Sequence, residues 1–568
     1  MKKLLLTILC AISFFVSALA QDGIKRPDSY NYTKGVQAYN EGDYAKSFDY
    51  FEKELQNNPK NGYAMLWKSG IYQVYKDYDR ALDLVEKALK YLPKKDKFFV
   101  GSAYEGRGGI REYFGDKESA IADYERAFKT DGNESHLYKV CGIYNVQGRY
   151  EEESKVIERM MNVNRNNVIT WVYAGHNAFS QNLYDKAQKC YDYAVELNPK
   201  YSSAFSFRAE LNFVKHCYEE ASDDAITALG INYDQKAYML LSCIAEEALP
   251  VLTAKLKDKQ HKEPDDGRWS FYLGIVNSSQ RKFADAEKAF KKAIEIGLHS
   301  DKGNMGILNY TGLALPLYEL GKYSEAIDAA KKSIETDSTN VAVWFVLVRS
   351  YYETEQTSSA IDALSQGIKA NPEEGLFYYW RARMKMYSGA LQNALDDINV
   401  ALKMTGGVDS ADLLQRSEIY RRMGKLQEAV ADCDSVISLQ KDLPGSLRDD
   451  NYLAYAYVRS GQRDKALDVV EKMNKDSADK GELYDFACLY SLLDDKQQAL
   501  DFLEKALQLG FCGFVQIGNA TDLDNIRGTE RFKQLVEKYK KEYEERVRNI
   551  AGEADVFSCI FKQGFFCL

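Results

Sequence analysis

The feature that most constrains this chain is a repeated spacing of about 34 residues. Small residues, mostly alanines, recur along almost its whole length, at Ser47, Ala81, Ala120, Ala187, Ala221, Ala286, Ala326, Ala360, Ala394, Ala429, Ala466 and Ala499. Several of the steps between them equal 34 residues. A period that persists in this way indicates a repeat array, which grows by stacking similar units and not by enlarging one core.

Each period has the pattern of two helices joined by a short turn. In the clearest copy, Trp171 precedes Gly175 by four residues, and Ala187 precedes Tyr191 by four. Residues four apart share one face of a helix, so the small residues allow the two helices to approach while the large ones fill the space between them. Pro199 ends the second helix, because proline disfavours the helical state in the residue before it.

This pattern resembles the tetratricopeptide repeat, on the residues Trp171, Gly175, Ala187, Tyr191, Ala194 and Pro199. The resemblance covers roughly residues 28–513. It implies an all-α fold, a right-handed superhelical solenoid of about fourteen stacked antiparallel helical hairpins.

Six segments are predicted along the chain. They are a signal peptide at 1–20, about six repeats at 21–235, a degenerate repeat and joint at 236–266, about seven repeats at 267–513, a capping segment and helix at 514–550, and an apolar tail at 551–568. The joint is predicted because Pro250 interrupts the repeat and Lys262–Gly267 has the composition of a linker. Pro316 lies inside a first helix and is expected to kink it.

The predicted terminal helix is apolar on one side only, as a solenoid cap requires. Its apolar residues are Phe532, Leu535, Val536, Tyr539, Tyr543 and Val547. Two interpretations stay open for the tail that follows: it packs or frays, or it acts as a docking peptide.

The N-terminus has the features of an export signal. Lys2 and Lys3 precede the apolar run Leu4–Val16, and Ala18-Leu19-Ala20 forms a small-x-small cleavage site. An exported protein, periplasmic or secreted, is therefore predicted. The rest of the sequence has no run of 18 or more apolar residues, so no membrane span is predicted, and peripheral association with the envelope stays open.

Composition and motifs argue against several classes of function. The formal net charge is −9, with acids and bases interleaved, whereas nucleic-acid binding needs a basic stripe. No phosphate-binding loop, zinc-helix motif or nucleophile elbow occurs. We therefore predict no catalytic residue, no metal and no cofactor, although a constellation assembled across repeats stays open.

Solenoids of the family that this chain resembles bind partners on the concave face of their first helices. The candidate partner-binding residues at the corresponding positions are Phe345, Arg349, Tyr352, Tyr379, Arg383 and Met386, with a second patch at Tyr138, His176 and Phe179. Arginine binds carboxylates bidentately and stacks on aromatic rings. Arg349 and Arg383 either complete the inner wall, neutralised by acids such as Glu353 or Glu355, or bind a peptide carboxylate or acidic motif.

The sequence thus predicts an exported, non-enzymatic scaffold that binds partner peptides or helices in its concave groove and assembles an envelope complex. The alternative is a regulatory subunit that senses a small ligand or glycan in the same groove.

The export signal predicts that the mature protein begins at Gln21 and is soluble without detergent. N-terminal sequencing of the protein from its native host measures this. Retention of Met1, or an acylated cysteine at the N-terminus, would contradict it.

Overall fold

The computed structural model describes residues 24–299, 305–443, 449–473, 475 and 479–550, of which 307, 442 and 546–550 are described by their backbone alone. The predicted signal peptide and the apolar tail lie outside the described residues. The chain divides into two compact units, Met1–Leu240 and Leu241–Leu568. This division falls inside the segment predicted to be a joint.

The first unit consists of helices that pair in chain order into six hairpins. They are α1 (Tyr30–Asn40), α2 (Tyr44–Asn57), α3 (Gly62–Val74), α4 (Tyr78–Tyr91), α5 (Lys97–Tyr113), α6 (Lys117–Asp131), α7 (Ser135–Val146), α8 (Tyr150–Val163), α9 (Val168–Ser180), α10 (Tyr184–Leu197), α11 (Ser202–Val214) and α12 (Tyr218–Ile231).

After α13 (Gln235–Lys262), the second unit continues with seven further hairpins and a terminal segment. Its helices are α14 (Gly267–Ser279), α15 (Phe283–His299), α16 (Ile307–Glu319), α17 (Tyr323–Thr336), α18 (Val341–Glu353), α19 (Thr357–Ala370), α20 (Gly375–Tyr387), α21 (Leu391–Met404), α22 (Ser410–Arg422), α23 (Leu426–Asp442), α24 (Asp450–Arg459), α25 (Arg463–Lys472), α26 (Lys480–Leu492), α27 (Lys496–Gln508), α28 (Phe514–Asn519), α29 (Asp524–Arg527) and α30 (Glu530–Ile550).

Contact between a glycine on the first helix and a ring on the second is close in several hairpins. A Cβ atom added at Gly175 would lie 2.3 Å from Cε1 of Tyr191, and one added at Gly274 would lie 2.7 Å from the Phe290 ring. Ala187 and Ala360, predicted to sit where two helices touch, have no exposed surface. The all-α fold of consecutive helical hairpins is confirmed.

The turns within the hairpins share one backbone conformation. In thirteen hairpins a turn residue has positive φ: Gly42, Lys76, Gly115, Gly148, Asn182, His216, Arg281, Gly321, Glu355, Gly389, Gly424, Gly461 and Asp494. This left-handed region costs a residue with a Cβ atom about 1–2 kcal/mol. The preference for glycine in these turns therefore has a conformational cause.

A repeated ion pair joins the first and second helices of four hairpins. In each, the Nε and Nη2 atoms of an arginine donate to the two oxygens of an aspartate sixteen residues later, in Arg107–Asp123, Arg208–Asp224, Arg381–Asp397 and Arg416–Asp432. Sequence reasoning missed this pair, although the spacing of sixteen was its signal.

Helix α13 contains the predicted irregularity. It is two helices joined at Ala248, whose φ of −140° and ψ of 44° are not helical, and Pro250 follows two residues later. By length and composition α13 could cross a membrane. The break at Ala248 leaves two parts of about 20 Å each, shorter than the ~30 Å hydrocarbon core of a bilayer. Pro316 lies within α16, which is one continuous helix from Ile307 to Glu319.

We expect Ala360→Leu to reduce the free energy of unfolding by roughly 1–3 kcal/mol, because the added side chain overpacks a site with no free surface. Urea unfolding monitored by circular dichroism measures this. The matched control is Gln366→Leu, at an exposed position of the same helix, with an expected change within about 0.5 kcal/mol. Equal stability of the two variants would show that the repeat register is wrong.

Candidate partner-binding groove

The six candidate residues of the second unit lie on two successive first helices, α18 and α20. Met386 is buried, and the other five are partly buried. The ring of Phe345 stacks on Phe377 with 4.9 Å between the ring centres. Phe345 therefore serves the packing between hairpins.

The two arginines contact aromatic side chains. The guanidinium carbon of Arg349 lies 4.6 Å from the centre of the Tyr318 ring. Nε of Arg383 donates to the Tyr387 hydroxyl at 3.3 Å. Among the residues that the structure describes, no carboxylate oxygen lies within 4.0 Å of either guanidinium, whereas Arg381 binds Asp397 at 2.7 Å. Arg349 and Arg383 thus differ from the arginines that join hairpins.

Two acids act on Arg349 at longer range, the buried Glu319 and the partly buried Glu353. Burial raises the pKa of both Glu319 and Glu353 to about 7, and the charge of Arg349 lowers both pKa values in part. One Glu319 oxygen is buried without a hydrogen-bond partner. Glu355, the other acid named from the sequence, is an exposed turn residue. The acids near Arg349 therefore influence it without forming a direct ion pair.

The terminal segment packs against α18, the first helix that carries Arg349 and Tyr352. We call α28, the short 3-10 helix Thr521–Leu523, α29 and α30 together the cap. Cap helix α28 packs against α18, and Asn519 lies beside the Tyr352 hydroxyl. The hydroxyls of Tyr543 and Tyr323 are 2.8 Å apart. The groove wall of the second unit is thus partly covered by the chain's own end.

Two charged residues of the wall bind the cap directly. The Arg459 guanidinium donates to both Asp522 oxygens at 2.8 and 3.0 Å, and the Thr521 hydroxyl donates to Glu418 at 2.9 Å. Although burial raises it, the pKa of Glu418 is lowered to about 2 by Arg459 and by hydrogen bonds from Arg421 and its neighbour. Glu418 is therefore ionised at neutral pH.

Three residues of the predicted apolar stripe of the terminal helix are buried. Phe532, Leu535 and Tyr539 lie in the same core as α24–α27. The sequence pattern did not reveal that the cap would also contact earlier hairpins of the second unit, because those contacts join residues distant along the chain.

The second patch does not form one joined site through the contacts that the structure gives. Tyr138 stacks on Tyr173 at 5.2 Å, and the His176 ring lies 5.4 Å from Phe207. Phe179 contacts Tyr184 at 5.9 Å. Burial, with a smaller contribution from Lys236, lowers the pKa of His176. Among the described residues, no cluster of three or more His, Cys, Asp or Glu side chains is arranged to hold a metal.

Two stretches of the chain match family models of the tetratricopeptide repeat, at residues 317–383 and 483–509. The first covers hairpins that contain Arg349 and the buried Ala360. The chain therefore contains tetratricopeptide repeats (TPRs). TPR arrays bind other molecules on extended concave surfaces. The chain is accordingly a repeat scaffold for protein–protein interaction, a class in which binding and not catalysis is the common role.

Known proteins match this chain over stretches of different length. A TPR repeat-containing protein of Methanocaldococcus jannaschii, MJ1428, is 25% identical over 459 residues, which cover 77% of this chain and 73% of that protein. The photosystem I assembly protein Ycf3 of Prochlorococcus marinus is 30% identical over 112 residues, 19% of this chain and 65% of that protein. The match therefore spans less than two thirds of Ycf3.

Three further proteins are less similar to this chain in sequence. The cytochrome c-type biogenesis protein CycH of Rhizobium meliloti is 24% identical over 222 residues, covering 32% of this chain and 56% of that protein. Among solved structures, yeast Tom70 is 15% identical with a TM-score of 0.34, covering 92% of this chain and 96% of Tom70. A tetratricopeptide repeat protein from Parabacteroides merdae is 16% identical with a TM-score of 0.35, covering 50% of this chain and 98% of that chain.

The raised pKa of Glu319 predicts that the second unit loses stability as pH rises. The folded state holds a proton up to about pH 7, whereas the unfolded carboxyl releases it near its ordinary pKa of 4.5. The stabilisation is therefore fully present below pH 4.5 and is lost as pH rises through 7, by at most about 3 kcal/mol. Denaturant unfolding at pH 5, 6, 7 and 8 measures the slope.

Glu319→Gln should reduce this slope, because the amide does not titrate, whereas Glu353, whose pKa is also raised to about 7, keeps part of it. Glu355→Gln, at the exposed turn residue, is the control and should leave the slope unchanged. A slope that Glu319→Gln does not alter would show that the carboxyl of Glu319 ionises normally in the folded protein.

Proposed function

We propose that this TPR protein is an exported scaffold that holds acidic segments of partner proteins at Arg349 and Arg383, and that it assembles an envelope complex by doing so. The observation that carries the proposal is the chemistry of these two arginines. Both are partly enclosed on the groove wall, both contact aromatic rings, and neither has a carboxylate within ion-pair distance among the described residues.

The comparison with other arginines of the chain supports this role. Arg208, Arg381 and Arg416 each receive an aspartate from their own hairpin. Removing a charge from water is costly unless it gains a partner, so an enclosed arginine without a direct ion pair favours an external carboxylate. Arginine is also among the residues that dominate interface energies, together with tyrosine.

The names of two relatives support the assembly role. Ycf3 is named for the assembly of photosystem I, and CycH for the biogenesis of c-type cytochromes. The charged start, the apolar run and the cleavage site at residues 1–20 support export.

A second candidate is a regulatory subunit that binds a small ligand or a glycan in the same groove. It is favoured by the position of α28 against α18, which narrows the space beside Tyr352. A glycan array probed with the mature protein tests this candidate, and peptide binding without glycan binding argues against it.

We expect the double substitution of Arg349→Ala with Arg383→Ala to weaken partner binding by about 2–5 kcal/mol and to reduce its dependence on salt. The partner is first isolated from native envelope with the mature protein as bait and is then titrated at two salt concentrations. The melting temperature should change little, because neither arginine forms an ion pair within the fold.

The control is Arg381→Ala, which removes the bond to Asp397 and should lower the melting temperature while leaving partner affinity unchanged. Wild-type affinity of the double variant at both salt concentrations would exclude this site. A large fall in its melting temperature would assign Arg349 and Arg383 to the fold.

A further inference from the structure

The cap is attached to the second unit in two chemically different ways. On one side it belongs to the hydrophobic core of α26 and α27, where Ile517, Leu523 and Ile526 have no exposed surface. This attachment buries apolar side chains, which is the dominant favourable term in folding. The cap and the last hairpin therefore form one body.

On the other side, side-chain hydrogen bonds reach across the groove to earlier hairpins. The Tyr543 hydroxyl meets that of Tyr323 on α17, and the Thr521 hydroxyl donates to Glu418 on α22. Asn519 lies beside the Tyr352 hydroxyl on α18. Each such bond contributes little net stability, because water replaces the partner when the bond opens.

The geometry of a solenoid makes these bonds the closure of the groove. Each hairpin of an array packs on its neighbours, and small rotations between successive hairpins add up along the array. The contact between Tyr323 on α17 and Tyr543 on α30 joins the cap to an early hairpin of the second unit. A small rotation between hairpins can open this contact without breaking the core of any hairpin.

Helix α18, which carries Arg349, packs against cap helix α28. Cys512 lies two residues before the cap. Burial and the acids Glu353 and Glu319 raise the pKa of its thiol, whereas a nearby lysine and Arg349 lower that pKa. Arg383 likewise lowers the pKa of Asp485, which burial raises. Asp485 lies on α26, a helix of the body that carries the cap. Both arginines thus act electrostatically on groups of the hairpin and segment that carry the cap.

The contact between the cap and the neighbouring helices shows that an arginine there can bind a carboxylate. The Asp522 carboxylate of the cap is held bidentately by Arg459. A carboxylate carried by another chain would find the same kind of partner in Arg349 and Arg383. This favours an acidic protein segment as the molecule admitted when the groove opens.

We propose that the cap is a gate over Arg349 and Arg383, which opens by releasing Tyr323, Tyr352 and Glu418 and admits an acidic segment of a partner protein. The role of this gate rests on the proposed function, but its opening can be tested without any partner.

The test is the rate at which phenylglyoxal modifies individual arginines of the full-length mature protein, followed by mass spectrometry. The variant combines Tyr543→Phe with Thr521→Ala, which removes two hydroxyls and leaves the buried core of the cap intact. We expect modification of Arg349 and Arg383 to be about tenfold faster, since two lost hydrogen bonds shift an equilibrium by this order.

Arg381 and Arg416 are internal controls, because their carboxylates belong to their own hairpins. Unchanged rates at Arg349 and Arg383, or equal acceleration at all four arginines, would overturn the gate and make the cap a fixed part of the fold. Partner titration separates the two proposals. If modification is faster but no acidic partner binds, the gate is supported and the proposed function is not. If the rates are unchanged but partner binding depends on the two arginines, the proposed function is supported and the gate is not.

Discussion

The structure depends on the contact between a small residue on the first helix of a hairpin and a large one on the second. At Gly175 the Tyr191 ring lies so close that even a methyl group would clash. The same contact recurs in several hairpins, which gives their helix pairs a similar separation. Similar units can stack on one another in a regular array. The aligned first helices, and the wall they form, follow from that regularity.

A stack of hairpins leaves an apolar face at its end, and the cap covers that face. Phe532, Leu535 and Tyr539 cover the last hairpin, as a terminal helix must. The cap also contacts earlier hairpins, where Asp522 binds Arg459 and Tyr543 meets Tyr323. One segment therefore finishes the core and also occupies the surface on which repeat scaffolds bind partners.

The arginines of the chain fall into two groups that the residue type alone does not distinguish. Arg381 sits at the position whose partner, Asp397, is supplied by the same hairpin. Arg383 is two residues later and points to a different side of the helix, where it contacts Tyr387. A shift of two residues thus separates an arginine that joins two helices from one that faces the groove.

The sequence by itself determined the hairpins, their number and their packing residues, because these depend on spacings within one period. It also placed the break near Pro250, since proline acts locally. The candidate residues of the second unit were assigned to the concave face by register, and their surroundings were not predictable. Only the tertiary structure decided that the cap lies over α18 and that Glu418 binds Thr521, for these contacts join residues more than one hundred positions apart. No period encodes such contacts, because they depend on small rotations summed over several hairpins.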